Sequence, residues 1–358
     1  MPLDVLTVED IRWLRLVESF GADVFYQPEY CKLQQERMPA FPLLFHYHDE
    51  LGEVLDVVLE KQVSTLDFYR DASLPMLQNP TDLVSAEYNG PIVRADPETA
   101  REVIRRFRSS VDAHCLSQGV VTEFVRFHPF LSAIDHVREI EECICVSEVI
   151  YIDLSKGYEA ARHGYRKGHR AAATKAARSG IEIRFVDPNQ ENIGKLTALW
   201  NDTMRRRNAI AERVRSHAFF DRLFRSLGKN AVLVEAQHGE ECAVSALFLL
   251  GDTQLWYMYA GTNPDLKSSE GGVLLLDRVA HWAAESGYST LVLGGGSSRD
   301  DSIHSFKRGF SHLARPVFQL RKVHNAAALN FLMEAKLSYD AKVARATQLN
   351  YFPPYWLD

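Results

Sequence analysis

Three short apolar segments follow one another between residues 231 and 262, and only a few turn residues separate them. They are AVLVEAQHG (231–239), AVSALFLLGD (243–252) and QLWYMYAGT (254–262). Their length and their β-branched and aromatic content predict strands, and the tight turns HGEE and GDT predict an antiparallel meander. Any fold for this chain must therefore contain an antiparallel sheet in its second half.

Helical segments surround this meander and indicate a mixed α/β chain. Amphipathic periodicity predicts helices at 10–20, 97–119, 158–180, 191–209, 216–228 and 271–287. Further strands are predicted at 43–48, 54–63, 120–131, 144–154, 181–187, 289–296 and 318–323. We therefore expect an α/β (mixed α+β) fold with largely antiparallel sheets flanked by helices, in two halves joined near residue 150.

Composition and charge exclude several classes of protein. Hydrophobic residues make up 46% of the 358 residues and charged residues 25%, as in ordinary globular proteins. The net charge of −6 argues against a protein that coats nucleic acid through charge alone. With no signal-peptide pattern, and no apolar run of the roughly 18 residues that a membrane span needs, we expect a cytoplasmic protein. The five cysteines fit no disulfide framework or zinc motif, so reduced thiols and no bound metal are expected.

The segment LVLGGGSSRDDSIHSFKRGF (291–310) runs from a predicted strand through three glycines into a predicted helix. Successive glycines after a strand permit unusual backbone angles and the close approach of a ligand. Lys307 lies within an apolar frame formed by Phe306 and Phe310. Its ammonium either serves a site at this point or snorkels over the two rings to the surface.

A predicted helix at 158–180 is basic on one face. Arg162, Arg166 and Arg170 recur at four-residue spacing, so they share a face within about 80°. Such a stripe either contacts the phosphates of a nucleic acid or is an ordinary solvated helix face. A second basic segment, TMRRRNA (203–209), holds three successive arginines, which cannot all face one site because a helix turns by about 100° per residue.

Tyr257 and Tyr259 alternate with Trp256 and Met258 on the third strand of the meander. Alternate residues of a strand point to the same face, so the two tyrosines are expected to share one. That face either lines a cleft, where both would contact substrate, or belongs to the core. No Ser-His-Asp order, HExxH, paired CxxC or P-loop appears, so covalent nucleophile and metal chemistry are unsupported.

Together these segments resemble the FemABX family, whose members carry two halves of the GNAT (N-acetyltransferase) fold. The resemblance is carried by residues 257–296, by SIHSFKRGFSHL (302–313) and by TMRRRNA. The first half matches more loosely, through VFYQPEY (24–30), EYNGPI (87–92) and VRFHPFL (125–131). The resemblance implies tandem GNAT-like domains at 1–147 and 148–325, followed by a helical extension at 326–358.

The resemblance also implies an acyltransferase that moves an amino acid from aminoacyl-tRNA to an amine, on a peptidoglycan (cell-wall) precursor or a small natural product, with no cofactor beyond this co-substrate. Related branches resemble acyl-CoA-dependent enzymes, so an N-acyltransferase acting on an amino sugar or small amine is one alternative. A non-catalytic scaffold that binds tRNA or an envelope precursor is another. The turn DLKSSEGGVLL (265–275) departs from the Q/R-x-x-G-x-G/A pattern that wraps the CoA pyrophosphate, because Glu270 puts a negative charge there.

Roles for individual residues follow from the resemblance. Lys307 would stabilise the tetrahedral oxyanion, and Asp301 or Asp300 would take the proton of the amine. Arg206 matches the arginine of a T-x-x-R pattern, whose guanidinium suits a phosphate or carboxylate. The remaining positions are the substrate contacts Phe306, Tyr257, Tyr259, Gly295 and Gly296 and the tRNA contacts Arg162, Arg166 and Arg170.

Overall fold

A computed structural model describes residues 2–35, 38–72, 77, 79–207, 213–295, 302–346 and 351–356, without the side chains of 267–269. The strands are β1 (Leu3–Thr7), β2 (Ala40–Asp49), β3 (Gly52–Gln62), β4 (Thr81–Val84), β5 (Ile92–Ala95), β6 (Val120–Arg126), β7 (Cys143–Asp153), β8 (Ile181–Val186), β9 (Ala231–His238), β10 (Glu241–Leu250), β11 (Gln254–Thr262), β12 (Thr290–Gly294) and β13 (Ala314–Val323). The α-helices are α1 (Arg12–Ser19), α2 (Pro28–Gln35), α3 (Asp67–Asp71), α4 (Ala100–Gln118), α5 (Ile134–Arg138), α6 (Tyr158–His163), α7 (Lys167–Arg178), α8 (Gln190–Arg206), α9 (His217–Leu227), α10 (Gly271–Glu285), α11 (Ser302–Arg308) and α12 (Ala326–Lys342). Among these helices, none combines the length and the apolar character that a lipid bilayer requires of a spanning segment.

Two compact units divide the chain. The first comprises residues 1–146 together with 317–358, and the second comprises residues 147–316. The predicted boundaries put 317–325 in the second domain and 326–358 in a separate extension. The difference arises because residues 319–323 of β13 pair with β6, and because α12 packs on α3 and β6.

The first unit is built on a sheet with the strand order β1–β2–β3–β4–β6–β13, and β5 pairs with the remaining part of β3. Only β4 and β6 run parallel among these strands. Helix α4 covers the sheet with an apolar stripe at helical spacing that includes Val103, Phe107 and Val111, all of them in the core. It ends at Gly119, whose φ of 73° is the left-handed value that favours glycine.

The second unit has a similar arrangement of strands and a covering helix. Its strand order is β7–β12–β11–β10–β9–β8, in which β9, β10 and β11 form the predicted meander and only β11 and β12 run parallel. Helix α10 joins this parallel pair, as α4 precedes the second strand of the parallel pair in the first unit. Both units therefore consist of a meander, a helix and a closing parallel strand, and the mixed α/β prediction is confirmed.

A buried ion pair ties α4 to the sheet of the first unit. The guanidinium of Arg108 donates two parallel hydrogen bonds to Glu123, at 2.7 and 2.8 Å, and a third to Glu141 at 3.0 Å. Both partners of the main pair are almost fully buried. Burial alone would raise the pKa of Glu123, but the charge and hydrogen bonds of Arg108 outweigh it and hold that pKa well below its usual value.

The C-terminal segment is docked on the first unit through Asp82. The hydroxyl of Tyr355 donates to this carboxylate at 2.8 Å and the indole Nε1 of Trp356 at 2.7 Å. Thr122 adds its backbone N–H and its hydroxyl. The ammonium of Lys61 lies 3.2 Å from the centroid of the Trp356 ring. Tyr355 and Trp356 are therefore part of the structure of this unit.

Candidate functional site

Strands β11 and β12 pair over only part of their length. Their parallel ladder runs from Gln254–Thr290 to Trp256–Val292, and the described residues beyond that point form no further pair. β11 continues to Thr262 along β10. The ladder with β12 therefore ends at Trp256, six residues before β11 itself ends.

A β-bulge in β11 separates two of the predicted substrate contacts. Tyr257 and Tyr259 pair with consecutive residues of β10, so Met258 is the extra residue. The Tyr257 ring packs against Phe248 in the core beneath α10, with ring centroids 5.3 Å apart. The Tyr259 ring packs against Trp200 of α8 instead, at 5.1 Å. The prediction that the tyrosines share a face is wrong, because the bulge breaks the alternation between them.

The ammonium of Lys307 lies against the end of β12. Lys307 is only 8% exposed, and its Nζ donates to the carbonyl oxygen of Gly295 at 2.6 Å. The preceding residue, Gly294, has a φ of 77°, and a Cβ there would lie 3.2 Å from Nζ. A side chain at position 294 would thus crowd the ammonium. The glycines leave room for a buried cation at the strand end.

The phenylalanines that flank Lys307 in sequence pack with a histidine. Phe306 and Phe310 meet edge to face at 5.4 Å, and the ring of His169 on α7 contacts both. His169 Nε2 also donates to the Phe306 carbonyl oxygen at 2.9 Å. Burial lowers the pKa of His169, which favours its neutral form. The packing of these rings holds α11 against α7, and the Lys307 side chain extends from α11 to the end of β12.

Glu148, His304 and Arg308 form a polar cluster that the sequence analysis missed. Glu148 Oε1 lies 3.0 Å from His304 Nε2 and accepts a bond from Arg308 at 2.7 Å. His304 and Arg308 share one face of α11 with Lys307, while Glu148 comes from β7. An added Cβ on Gly295 would lie 2.6 Å from the Glu148 carbonyl oxygen, so the cluster adjoins the strand end that binds Lys307. The sequence signal for this cluster was His304, which lies about one helical turn before Lys307.

Arg206 is engaged within the second unit. Its Nε donates to Asp202 at 2.7 Å, and one terminal nitrogen donates to Thr203 Oγ1 at 3.1 Å and to the carbonyl oxygen of Thr262 at 2.7 Å. Thr203 Oγ1 also accepts from the Thr262 backbone N–H. Arg206 therefore ties the end of α8 to the end of β11, and the predicted contact with a ligand stays a prediction.

The predicted basic helix is broken into two. Helix α6 ends at His163, and α7 begins at Lys167 after an extended Arg166 with a ψ of 145°. The Arg166 backbone N–H donates to the Gly309 carbonyl oxygen at 2.8 Å, which a continuous helix would not allow. The prediction of one helix through 158–180 is wrong, and so is the single face that three arginines were expected to share.

A basic groove nevertheless runs along these two helices. It has a volume of about 570 Å³ and is lined by seven residues, five of them cationic. Arg162 lines it while donating to the buried Asp277 at 3.3 Å, and Arg170 lines it while donating to the carbonyl oxygens of His163 and Tyr165. Arg166 is exposed but does not line this groove. The remaining lining residues are Lys167, Ala171, Thr174, Lys175 and Arg178.

The N-terminus of α10 carries a carboxylate. Glu270 precedes the helix with a φ of 57°, and its Oε1 lies 4.0 Å from Lys175 Nζ. A helix N-terminus attracts anions, and a fixed carboxylate at this point opposes a phosphate ligand. The geometry agrees with the departure from the CoA pattern that the sequence shows.

Three predicted site residues, Asp300, Asp301 and Gly296, lie outside the described residues. Within the described ranges, one group of side chains has the geometry to hold a metal ion: Asp4, His46 and His48 in the first unit. The residues brought together in the second unit are Lys307, Gly295, Glu148, His304 and Arg308.

Residues 163–308 match the model of a protein family described as acetyltransferase (GNAT) domain. The whole chain is similar to the crystal structure of FemX, with a TM-score of 0.67 and 11% identity over 89% of this chain and 97% of that one. A conserved protein of unknown function from Bacteroides thetaiotaomicron gives a TM-score of 0.55 with 9% identity, over 90% and 99% of the two chains. L-PGS from Bacillus licheniformis gives 0.51 with 11% identity, over 92% and 97%. No curated protein sequence matches.

Proposed function

We propose that this chain, whose residues 163–308 match an acetyltransferase (GNAT) domain and whose fold is similar to that of FemX, transfers an aminoacyl group from aminoacyl-tRNA to an amine. The acceptor would be a cell-wall precursor or a small natural product. The observation that carries this proposal is the buried ammonium of Lys307, which donates to the Gly295 carbonyl oxygen at the end of β12. A cation at such a point can stabilise the negative charge that an acyl transfer develops on oxygen.

The proposed reaction exchanges an ester for an amide. The neutral amine attacks the ester carbonyl, a C–N bond forms, and the C–O bond to the tRNA ribose breaks. The intermediate carries its charge on the former carbonyl oxygen, and Lys307 stabilises that charge with an N–H donor. Phe306 and Gly295 border the reacting carbonyl. No covalent enzyme intermediate is needed.

The proton released by the amine needs an acceptor, and His304 is suited to take it. Glu148 Oε1 also accepts from Arg308, a charge-assisted bond that favours the ionised carboxylate. An ionised Glu148 accepts the Nε2–H of His304, which leaves Nδ1 as the basic nitrogen. Nδ1 passes the proton to the departing ribose oxygen. Asp300 and Asp301 remain proposed alternatives for this role.

Replacing His304 by glutamine is expected to lower the transfer rate by about 100-fold or more, because a positioned base contributes that much. Single-turnover rates measure the loss. His281→Gln, a partly exposed histidine of α10, is the control and should retain the wild-type rate. A folded His304→Gln variant that transfers at the wild-type rate would exclude this histidine as the base.

The basic groove supports tRNA as the donor. Its cationic side chains lie on a protein whose net charge is −6, so they are a local concentration of positive charge. Three of them, Lys167, Lys175 and Arg178, are exposed, and the Lys175 ammonium lies 4.0 Å from Glu270. Phosphates of an acceptor stem fit such a surface without any reading of base sequence.

Reversing the charge of Lys167, Lys175 and Arg178 to glutamate is expected to weaken tRNA binding at least about tenfold, and the salt dependence should lose about one unit of slope per residue. Filter binding of charged tRNA at several salt concentrations measures both. The control reverses Arg184, Arg225 and Lys229, exposed basic residues of the same unit that do not line the groove. Equal losses in the two triple variants would contradict a specific tRNA surface.

An acyl-CoA-dependent N-acyltransferase is the second candidate, and the match to an acetyltransferase domain favours it. The carboxylate of Glu270 at the N-terminus of α10 counts against it. Calorimetric titration with CoA, beside the tRNA experiment, separates the two donors. Binding of CoA without binding of charged tRNA would show that our donor assignment is wrong. A chain that binds tRNA but transfers nothing would be the scaffold instead.

A further inference from the structure

Two histidines and a carboxylate lie together on the sheet of the first unit. One ligand atom from each of Asp4, His46 and His48 lies within 4.8 Å of the other two. Asp4 on β1 is directly opposite His46 on β2, and His48 follows two residues later on the same face. The intervening Tyr47 points to the other face, into the core. The register of the strands thus brings these side chains together.

We propose that Asp4, His46 and His48 bind one zinc ion. Imidazole nitrogen and carboxylate oxygen are zinc ligands, with bonds of about 2.0–2.2 Å, and a tetrahedral ion leaves its fourth position for water. Imidazoles favour zinc and its transition-metal neighbours over calcium or magnesium. The two imidazole rings are 5.2 Å apart between centroids, and His48 is exposed, so small side-chain rotations bring the ligand atoms to bonding distance.

A neighbouring carboxylate supports this assignment. His46 Nε2 lies 3.4 Å from Glu53 Oε2, and Glu53 is held in turn by Arg94 at 2.8 Å. A metal-bound histidine commonly donates its other ring N–H to a carboxylate, which fixes the tautomer and the ring orientation. The edge of the His46 ring also packs against Phe20, at 6.4 Å. With Nε2 turned to Glu53, Nδ1 of His46 is the nitrogen for the metal.

Asp4 can bind the metal because Arg12, its ion-pair partner, also binds a second carboxylate. Arg12 lies 3.1 Å from Asp4, but the same guanidinium donates to Asp10 from two nitrogens, at 2.8 and 3.1 Å. Asp4 and Arg12 are both substantially exposed, so their ion pair is weak. Metal binding therefore leaves no charge unpaired.

Strand β1 is at the edge of this sheet. A metal held by Asp4 on β1 and two histidines on β2 would clamp the edge strand to its neighbour. If the metal binds the folded chain and not the unfolded chain, the unfolding temperature will rise as the metal concentration rises. This inference is independent of the proposed acyl transfer.

Calorimetric titration of the untagged full chain with Zn²⁺ tests the proposal. We expect one site in the wild type, weakened about 10- to 100-fold in His46→Gln, in His48→Gln and in Asp4→Asn. His238→Gln, an exposed histidine of β9, is the control and should bind as the wild type does. Added Zn²⁺ should raise the unfolding temperature of the wild type and of His238→Gln, and should raise that of the three ligand variants less. The proposal is overturned if the wild type binds no Zn²⁺, or if the three ligand variants bind it unchanged.

Discussion

Methionine at position 307 is expected to lower the single-turnover rate of acyl transfer by about 100- to 1,000-fold, the usual loss when one oxyanion donor is removed. Methionine keeps most of the length of the lysine side chain but cannot stabilise a developing charge. The buried position of Lys307 strengthens the effect, since water screens it less than a surface cation. Product formation followed by mass spectrometry measures the loss with either donor.

Two controls show whether the loss of transfer rate in Lys307→Met comes from the missing ammonium or from unfolding. Lys229→Met removes an exposed lysine of the same unit and should retain full rate. Lys307→Met should keep its affinity for tRNA, because its ammonium lies at the strand end and not in the basic groove. If a folded Lys307→Met chain transfers at the wild-type rate, the oxyanion role is excluded.

The second large effect is on stability. Arg108→Met is expected to lower the free energy of unfolding by about 3–5 kcal/mol, because it leaves the buried carboxylate of Glu123 without its main partner. The remaining His324, 3.0 Å from Glu123, can compensate only in part. Urea denaturation followed by circular dichroism measures the change.

A matched variant lies on the same helix. Arg105→Met removes an arginine whose ion pair with Glu102 is fully exposed, and little change in stability is expected. Arg108→Met, Glu123→Gln together should recover part of the loss, since no charge is then buried alone. A single Arg108→Met variant as stable as Arg105→Met would contradict the importance assigned to the buried pair.

Much of the fold follows from local sequence signals. The meander at 231–262 was predicted because its strands are rich in β-branched and aromatic residues and its turns are short, and the structure has it in that order. The end of α4 at Gly119 was predicted from the same kind of signal, since only glycine adopts its φ readily. Lys307 was singled out by three glycines and two phenylalanines in its own segment.

The errors arise where distant contacts decide local geometry. A bulge at Met258 has no signature in an apolar strand, yet it moves Tyr259 to the other face. The break at Arg166 depends on a hydrogen bond to Gly309, far along the chain. Glu148 and His304 are likewise distant in sequence, and only the adjacency of β7 and β12 brings them together. The periodicity of the sequence carries no information about contacts between residues that are distant along the chain.

The first unit takes its last strand and helix from the end of the chain. Residues 147–316 are made as one uninterrupted stretch, whereas β13, α12 and the Tyr355–Trp356 dock on Asp82 are completed only after them. Until they are made, β6 lacks its neighbour β13, and Asp82 lacks the hydrogen bonds from Tyr355 and Trp356. The half made second can be completed before the half made first, so the order of completion reverses the order of synthesis.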